Sequence, residues 1–180
     1  TLFPYTTLFR SEPGVGKSTM LLQLCGAISN QHSVLYITGE ESVRQVKLRA
    51  ARLKVPQDNI FLAAENDVDE ICGLIEKEKP DVIHINLFHR VLTASIVDAA
   101  KRYCIPVVLT MHDLNCICPN HTMLDHGQIC EDCLHGNYLN CVKRVCFKDS
   151  RTKCLMAAAE SEYNKLSGLY NKIDLFIAPS

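Results

Sequence analysis

The run Ser11-Glu12-Pro13-Gly14-Val15-Gly16-Lys17-Ser18-Thr19 has residue types suited to one task, holding a chain of phosphates. Glycines at 14 and 16 let backbone N–H groups curl around anionic oxygens. Lys17 can reach the terminal phosphates, and the hydroxyl of Ser18 or Thr19 can ligate Mg²⁺. The spacing is that of a Walker A loop, G-x-x-x-x-G-K-[ST], with Ser11 standing where its first glycine belongs. An apolar-periodic stretch follows at once, with Met20, Leu21, Leu24 and Ile28 on one stripe. A helix there points its positive N-terminus at the anion. Gly14, Val15, Gly16, Lys17, Ser18 and Thr19 are therefore the expected ligands of ATP and its magnesium.

Three further groups could do chemistry. Glu40 follows the apolar run Ser33–Thr38, at the end of a strand where ligands gather in an open parallel sheet. It either polarises an attacking water or is simply a first-turn acid favoured by the helix dipole. His112 and Asp113 end a second buried strand in the same way, and His112 reads either as a ligand-facing group or as a loop histidine. His84, on a neighbouring strand, reads as a satisfied core histidine. The third group is cysteine. Of the ten in the chain, six crowd between Cys116 and Cys146. Cys130-x₂-Cys133 is a knuckle spacing in which two thiolates share one tetrahedral ion. Two more ligands can come from Cys118, Cys141 and Cys146, so four of these five should bind structural Zn²⁺, with Cys116 the bystander. Free thiols or disulfides are the alternatives. Cys25, Cys72, Cys104 and Cys154 sit singly on expected helices and read as small buried apolar residues.

These groups need a scaffold, and the pattern supplies one. Expected helices are Gly16–Ser29, Ser42–Leu53, Asp67–Lys79, Thr93–Tyr103 and Ser150–Lys172. The last has Leu155, Ala159, Tyr163, Leu166 and Tyr170 on one stripe. Expected strands are Ser33–Thr38, Ile60–Ala63, Asp81–Leu87, Val107–Met111 and Asp174–Ala178. Asp113–Asp149 is a long irregular segment. The alternation predicts an α/β fold. It is a parallel, doubly wound (P-loop/Rossmann-like) sheet of about five strands, with helices on both faces and a Cys-rich irregular insertion.

Bulk properties narrow the partners. The chain has 180 residues and a net charge of −1. Nine Lys/Arg face ten Asp/Glu in Thr1–Pro80, and ten face ten in Asp81–Ser180. Neither half is basic enough to imply nucleic-acid binding by charge alone. No apolar run approaches the roughly 18 residues of a membrane span. No secretory signal is visible, so a cytoplasmic location and reduced cysteines are expected.

Two resemblances divide the chain. EPGVGKSTMLLQL, VLYITGEES, VKLRAARL and IFLAAENDVDEI, over residues 12–82, resemble the RadA (Sms) branch of RecA-like ATPases, bacterial DNA-repair proteins that use ATP to drive branch migration. The resemblance implies ATP–Mg²⁺ at Lys17 and Ser18/Thr19, Glu40 as the hydrolytic glutamate, and DNA as a partner. The basic stretch Arg44, Lys47, Arg49 and Arg52 reads as a solvated face rather than a DNA contact. Asn86 stands where that family carries its Walker B aspartate, and an amide cannot supply the charge that steadies the Mg²⁺ shell. Poor hydrolysis is expected.

PDVIHINLFHR, IVDAAKRYCIPVVLTMHDLNCICPN, ICEDCLHGNYLNCVKRVC and LYNKIDLFIAPS, over residues 81–180, resemble the N-terminal domain of family-4 (group 1) glycosyltransferases of the GT-B fold. Those retaining enzymes move a sugar from a nucleotide-sugar to an acceptor, often in surface-polysaccharide synthesis. The resemblance implies that His112 touches the transferred sugar or its acceptor. The family's nucleotide-sugar domain has no counterpart here, so no transferase activity is expected. Residues 1–11 resemble a translated sequencing adapter. With a join at Lys79–Val82 that suits either parent, the expectation is a chimera. It is an ATP-binding segment joined to a partial transferase domain, a glycosyltransferase fragment, or a composite that only folds.

Overall fold

A computed structural model describes residues 16–39, 41–56, 58–86 and 93–178. Its contacts divide the chain into two compact units, one built on Arg10–Leu74 and one on Ile75–Ser180. Residues 1–11 lie outside the described residues.

In the first unit, α1 (Lys17–Ser29) leads through a short turn to β1 (Val34–Thr38), α2 (Val43–Arg52) and β2 (Ile60–Ala64). Ser42 sets the start of α2 with a capping box. Its side chain accepts from the Gln45 N–H while the Gln45 side chain accepts from the Ser42 N–H at 2.9 Å. β1 and β2 pair in parallel, from Val34 opposite Ile60 to Thr38 opposite Ala64. Leu22, Val46, Ala50 and Val55 form the core between helices and strands, with Tyr36, Leu53, Ile60 and Leu62 packed on it.

The face of α1 that packs is not the expected stripe. Leu22, Cys25, Gly26 and Ser29 are buried, whereas Met20, Leu24 and Ile28 are exposed. The reason is close approach. A Cβ on Gly26 would lie 2.6 Å from Cγ1 of Val55, so only glycine lets the helix reach that side chain.

α3 (Val68–Glu78) runs across the division between the units. The second unit holds β3 (Ile83–Ile85), α4 (Thr93–Arg102) and β4 (Val107–Thr110). It continues with β5 (Leu124–Asp125), β6 (Gln128–Ile129), α5 (Leu139–Arg144), α6 (Arg151–Leu166) and β7 (Leu175–Ile177). β4 lies between β3 and β7, both parallel to it. This central place explains its buried, branched sequence. Asp174 fastens the β7 side: its carboxylate accepts from the Val107 N–H at 2.6 Å and binds Lys101.

The fold is thus α/β with parallel sheets and flanking helices, as the alternation predicts. Among the described residues, however, the strands form two parallel sheets, β1–β2 and β3–β4–β7, rather than one of about five strands. The expected helix over Ser150–Lys172 is also interrupted. α6 stops at Leu166, and Gly168 takes a left-handed φ of 64° before a 3₁₀ turn over Leu169–Lys172. α6 buries Cys154, Ala157, Ala158, Ser161 and Asn164, leaving Leu155, Tyr163 and Leu166 exposed. The irregular segment contains a hairpin, β5–β6, turned by His126 (φ 49°) and Gly127 (φ 85°). Positive φ at both turn residues matches the right-handed twist of paired strands.

Candidate functional site: a phosphate turn, a strand-end pair and a thiol cluster

Gly16 caps α1 at φ 88° and ψ 13°, a left-handed conformation that glycine adopts without strain. Open space surrounds the position a Cβ would take. Among the described residues no side chain caps this helix, and no acidic residue sits in its first turn. Leading N–H groups of this kind suit an anion or water. Ser18 and Thr19 lie half-buried in the first turn. The described part of the turn fits a phosphate with its magnesium: a glycine hinge, bare N–H donors and two hydroxyls. Gly14 and Val15 lie outside the described residues, and Lys17 opens α1.

The end of β1 is tightly tied. The Glu41 N–H donates to Thr38 Oγ1 at 3.2 Å, and the Glu41 carboxylate accepts from Arg49 at 2.5 Å. That hydrogen bond holds the Arg49 guanidinium above its ordinary pKa. Glu41 and Arg49 thus serve each other, while Arg44, Lys47 and Arg52 are exposed. Glu40 lies outside the described residues. The Glu41–Arg49 pair was not foreseen from sequence, because eight positions separate the partners and the chain turns between them.

In the second unit, β3 and β4 bring a histidine and an amide together. His112, just past β4, has Nε2 3.2 Å from Oδ1 of Asn86, just past β3. Asn86 thus partners a histidine. His84 Nε2 is 2.7 Å from Thr110 Oγ1, and burial of its ring pushes the imidazole below its ordinary pKa. The residue as a whole still faces solvent, so it is a hydrogen-bonded strand histidine rather than a core one. A cavity of about 20 Å³ is lined by Thr110, Met111, His112, Asp113, Cys116 and Tyr170.

None of the ten cysteines is in a disulfide. Cys116 points its thiol at Met111 Sδ, 3.7 Å away, apart from the others. Cys141 and Cys146 have sulfurs 3.4 Å apart. Cys133 is buried, and its thiol is pushed up to about 11, by burial first and then by nearby Cys118, Cys146 and Cys130. Burial, followed by the Cys146 thiol, pushes Cys141 up much further. Cys154 is fully buried and joins the cluster: its sulfur accepts from the Phe147 N–H at 3.3 Å. Its position on a helix far along the chain gave no hint of this. Among the described residues, no three His, Cys, Asp or Glu side chains stand in a ready-made metal-holding arrangement. Among them, too, no helix is long and apolar enough to cross a membrane.

Comparison with known proteins finds relatives for part of the chain. It is 42% identical over 79 residues to the DNA repair protein RadA of Haemophilus influenzae, covering 44% of this chain and 17% of that protein. It is 43% identical over 79 residues to RadA of Escherichia coli, with the same coverage. With RadA of Listeria monocytogenes it shares 40% identity over 94 residues, covering 52% of this chain and 21% of the relative. The chain therefore spans about a fifth of the length of the curated relatives it matches. No protein-family profile matches the chain, and no solved structure does.

Proposed function

We propose that residues 12–82 are the nucleotide-binding segment of a RadA-like repair ATPase. In this reading Gly14–Thr19 hold the phosphates of ATP with Mg²⁺. Backbone N–H groups and the N-terminus of α1 take the oxygens, Lys17 reaches the terminal phosphates, and Ser18 or Thr19 ligates the metal. The magnesium would draw charge from the terminal phosphate. Glu40 is assigned to orienting an attacking water, and DNA is the partner that the relatives' name suggests.

The carrying observation is identity of 40–43% to three RadA proteins in a chain whose Gly16 turn opens onto an uncapped helix N-terminus. Hydrolysis is expected to be slow, because the RadA resemblance puts its metal-steadying aspartate where this sequence has Asn86, an uncharged amide. Titration with ATP–Mg²⁺ tests this. Saturable binding that Lys17→Ala abolishes supports it, and binding unaffected by Lys17→Ala contradicts it.

A second reading concerns residues 81–180. The carboxyl ends of β3 and β4 present Asn86 and His112 side by side, where ligands of parallel sheets gather. This favours a partial glycosyltransferase N-terminal domain with His112 toward a sugar or its acceptor. Binding of a nucleotide-sugar or acceptor that weakens in His112→Ala would support it. Absence of binding to either, together with absence of ATP binding, would leave a composite that only folds.

A further inference from the structure

Two sulfurs of the second unit are in direct contact, those of Cys141 and Cys146, 3.4 Å apart. The chain bends sharply to bring them together. Cys141 lies within α5, and Val145 ends that helix in a left-handed conformation at φ 56°. This conformation is costly for a β-branched residue. It turns Cys146 back onto α5, where its sulfur also lies 3.9 Å from the Cys141 carbonyl oxygen.

The segment on either side of the pair is anchored without using either sulfur. Asn140 and Arg144 of α5 both bind Asp132, the first at its carbonyl at 2.8 Å and the second at its carboxylate at 2.6 Å. Beyond Cys146, the Phe147 N–H donates to the Cys154 sulfur of α6 at 3.3 Å. The two thiols differ in access. Cys141 is 1% exposed, in an apolar cluster with Tyr138, Phe147, Ala157 and Ala158. Cys146 packs on the edge of that cluster and is half-buried.

We propose that Cys141 and Cys146 form a redox-active dithiol, which a low-molecular-weight disulfide oxidises to an intramolecular disulfide. Cys146 is the attacking group, because it is the one a solute can reach. Its thiolate attacks one sulfur of the oxidant, forming a mixed disulfide and releasing one thiol. Cys141 then gives up its proton and attacks the Cys146 sulfur, releasing the second thiol. Two protein S–H bonds and the oxidant's S–S bond break. One protein S–S bond and two S–H bonds on the released thiols form. The protein loses two electrons and the oxidant gains them.

A disulfide bond of about 2.05 Å asks the two sulfurs to close only part of their present separation. The surroundings support the order of events. Burial raises both thiols above their ordinary values, Cys141 much further than Cys146. The hydrogen bond between them lowers Cys146 while raising Cys141, as expected if the Cys141 S–H steadies a Cys146 thiolate. Cys146 therefore ionises first and Cys141 resolves the mixed disulfide. The ring so closed is short, and little loop entropy is removed from the unfolded chain. Such a bond suits reversible exchange better than stapling.

The test treats the intact, reduced chain with oxidised glutathione, alkylates the remaining thiols and maps the peptides by mass spectrometry without reduction. Lys143 and Arg144 lie between the two cysteines, so tryptic cleavage leaves the disulfide as a link between separate peptides. A chymotryptic cut after Tyr138 parts Cys141 from Cys116, Cys118, Cys130 and Cys133. The first disulfide formed should join Cys141 to Cys146, and dithiothreitol should reverse it. Cys141→Ser should trap a glutathione adduct on Cys146. Cys146→Ser, with the circular dichroism of the wild type, should leave Cys141 unmodified. A first disulfide through other cysteines, a lasting adduct on wild-type Cys146, or an unmodified Cys146 overturns the proposal. The wild-type map alone decides it where a variant fails to fold.

Discussion

The glycine turn and the thiol cluster are assembled in opposite ways. In the turn the proposed ligands are backbone groups: a left-handed Gly16 and the first N–H groups of one helix, all within a few residues. The cluster is made of side chains from distant segments, of which the hairpin and the helix end are tied by Asp132, Asp125, Arg144 and Asn140. A backbone site is written in contiguous residues and tolerates change elsewhere. A side-chain site is spread along the chain and depends on the bonds that hold its segments together.

Substitutions can break or sharpen this contrast. The largest effect is expected in the core behind the turn. Leu22→Ala, at a 1% exposed position, should lower stability by about 2–5 kcal/mol in urea denaturation. Gly26→Ala should cost about 1–3 kcal/mol, since its methyl would meet Val55 at 2.6 Å. No loss there would show that α1 has room to retreat. Ser42→Ala removes the cap of α2 and should cost about 1 kcal/mol.

The smallest effect is a pH dependence in the second unit. The Asp174 carboxyl is held below its ordinary value, by Lys101 first and then by the Val107 N–H. A depressed folded value means stabilisation present above the unfolded carboxylate pKa, roughly 3.9, and lost as pH falls through the folded value. Asp174→Asn should therefore destabilise mildly at neutral pH and flatten the acid limb of stability against pH. An unchanged acid limb would show that this exposed ion pair contributes nothing.

The same contrast explains what could be read before folding. The glycine–lysine spacing and the helix after it announced the phosphate turn. Branched apolar runs announced β1 and β4, and for β4 the reason is plain, since a strand buried between two neighbours has few sequence options. The packed faces of α1 and α6 were misread for one physical reason. Tight helix contacts use small residues, Gly26 and Ser29 beside Leu22 in α1 and Cys154, Ala157, Ala158 and Ser161 in α6, while larger apolar side chains such as Leu24, Ile28, Leu155 and Leu166 stay outside. Hydrophobic periodicity follows size and so picked the wrong faces. The halt of α6 at Gly168 was missed because apolar spacing continues through Tyr170, although the left-handed turn does not. The His112–Asn86 and Glu41–Arg49 pairs were not legible, since each depends on which side chains the folded chain brings together.

The central claim is that the Gly14–Thr19 turn binds nucleotide through its phosphates. Isothermal titration of the intact chain with ATP–Mg²⁺, beside Lys17→Ala, tests it most directly. The account predicts weak but saturable one-site binding that the substitution abolishes. Absence of heat from the wild-type chain, or equal binding by both proteins, would contradict it.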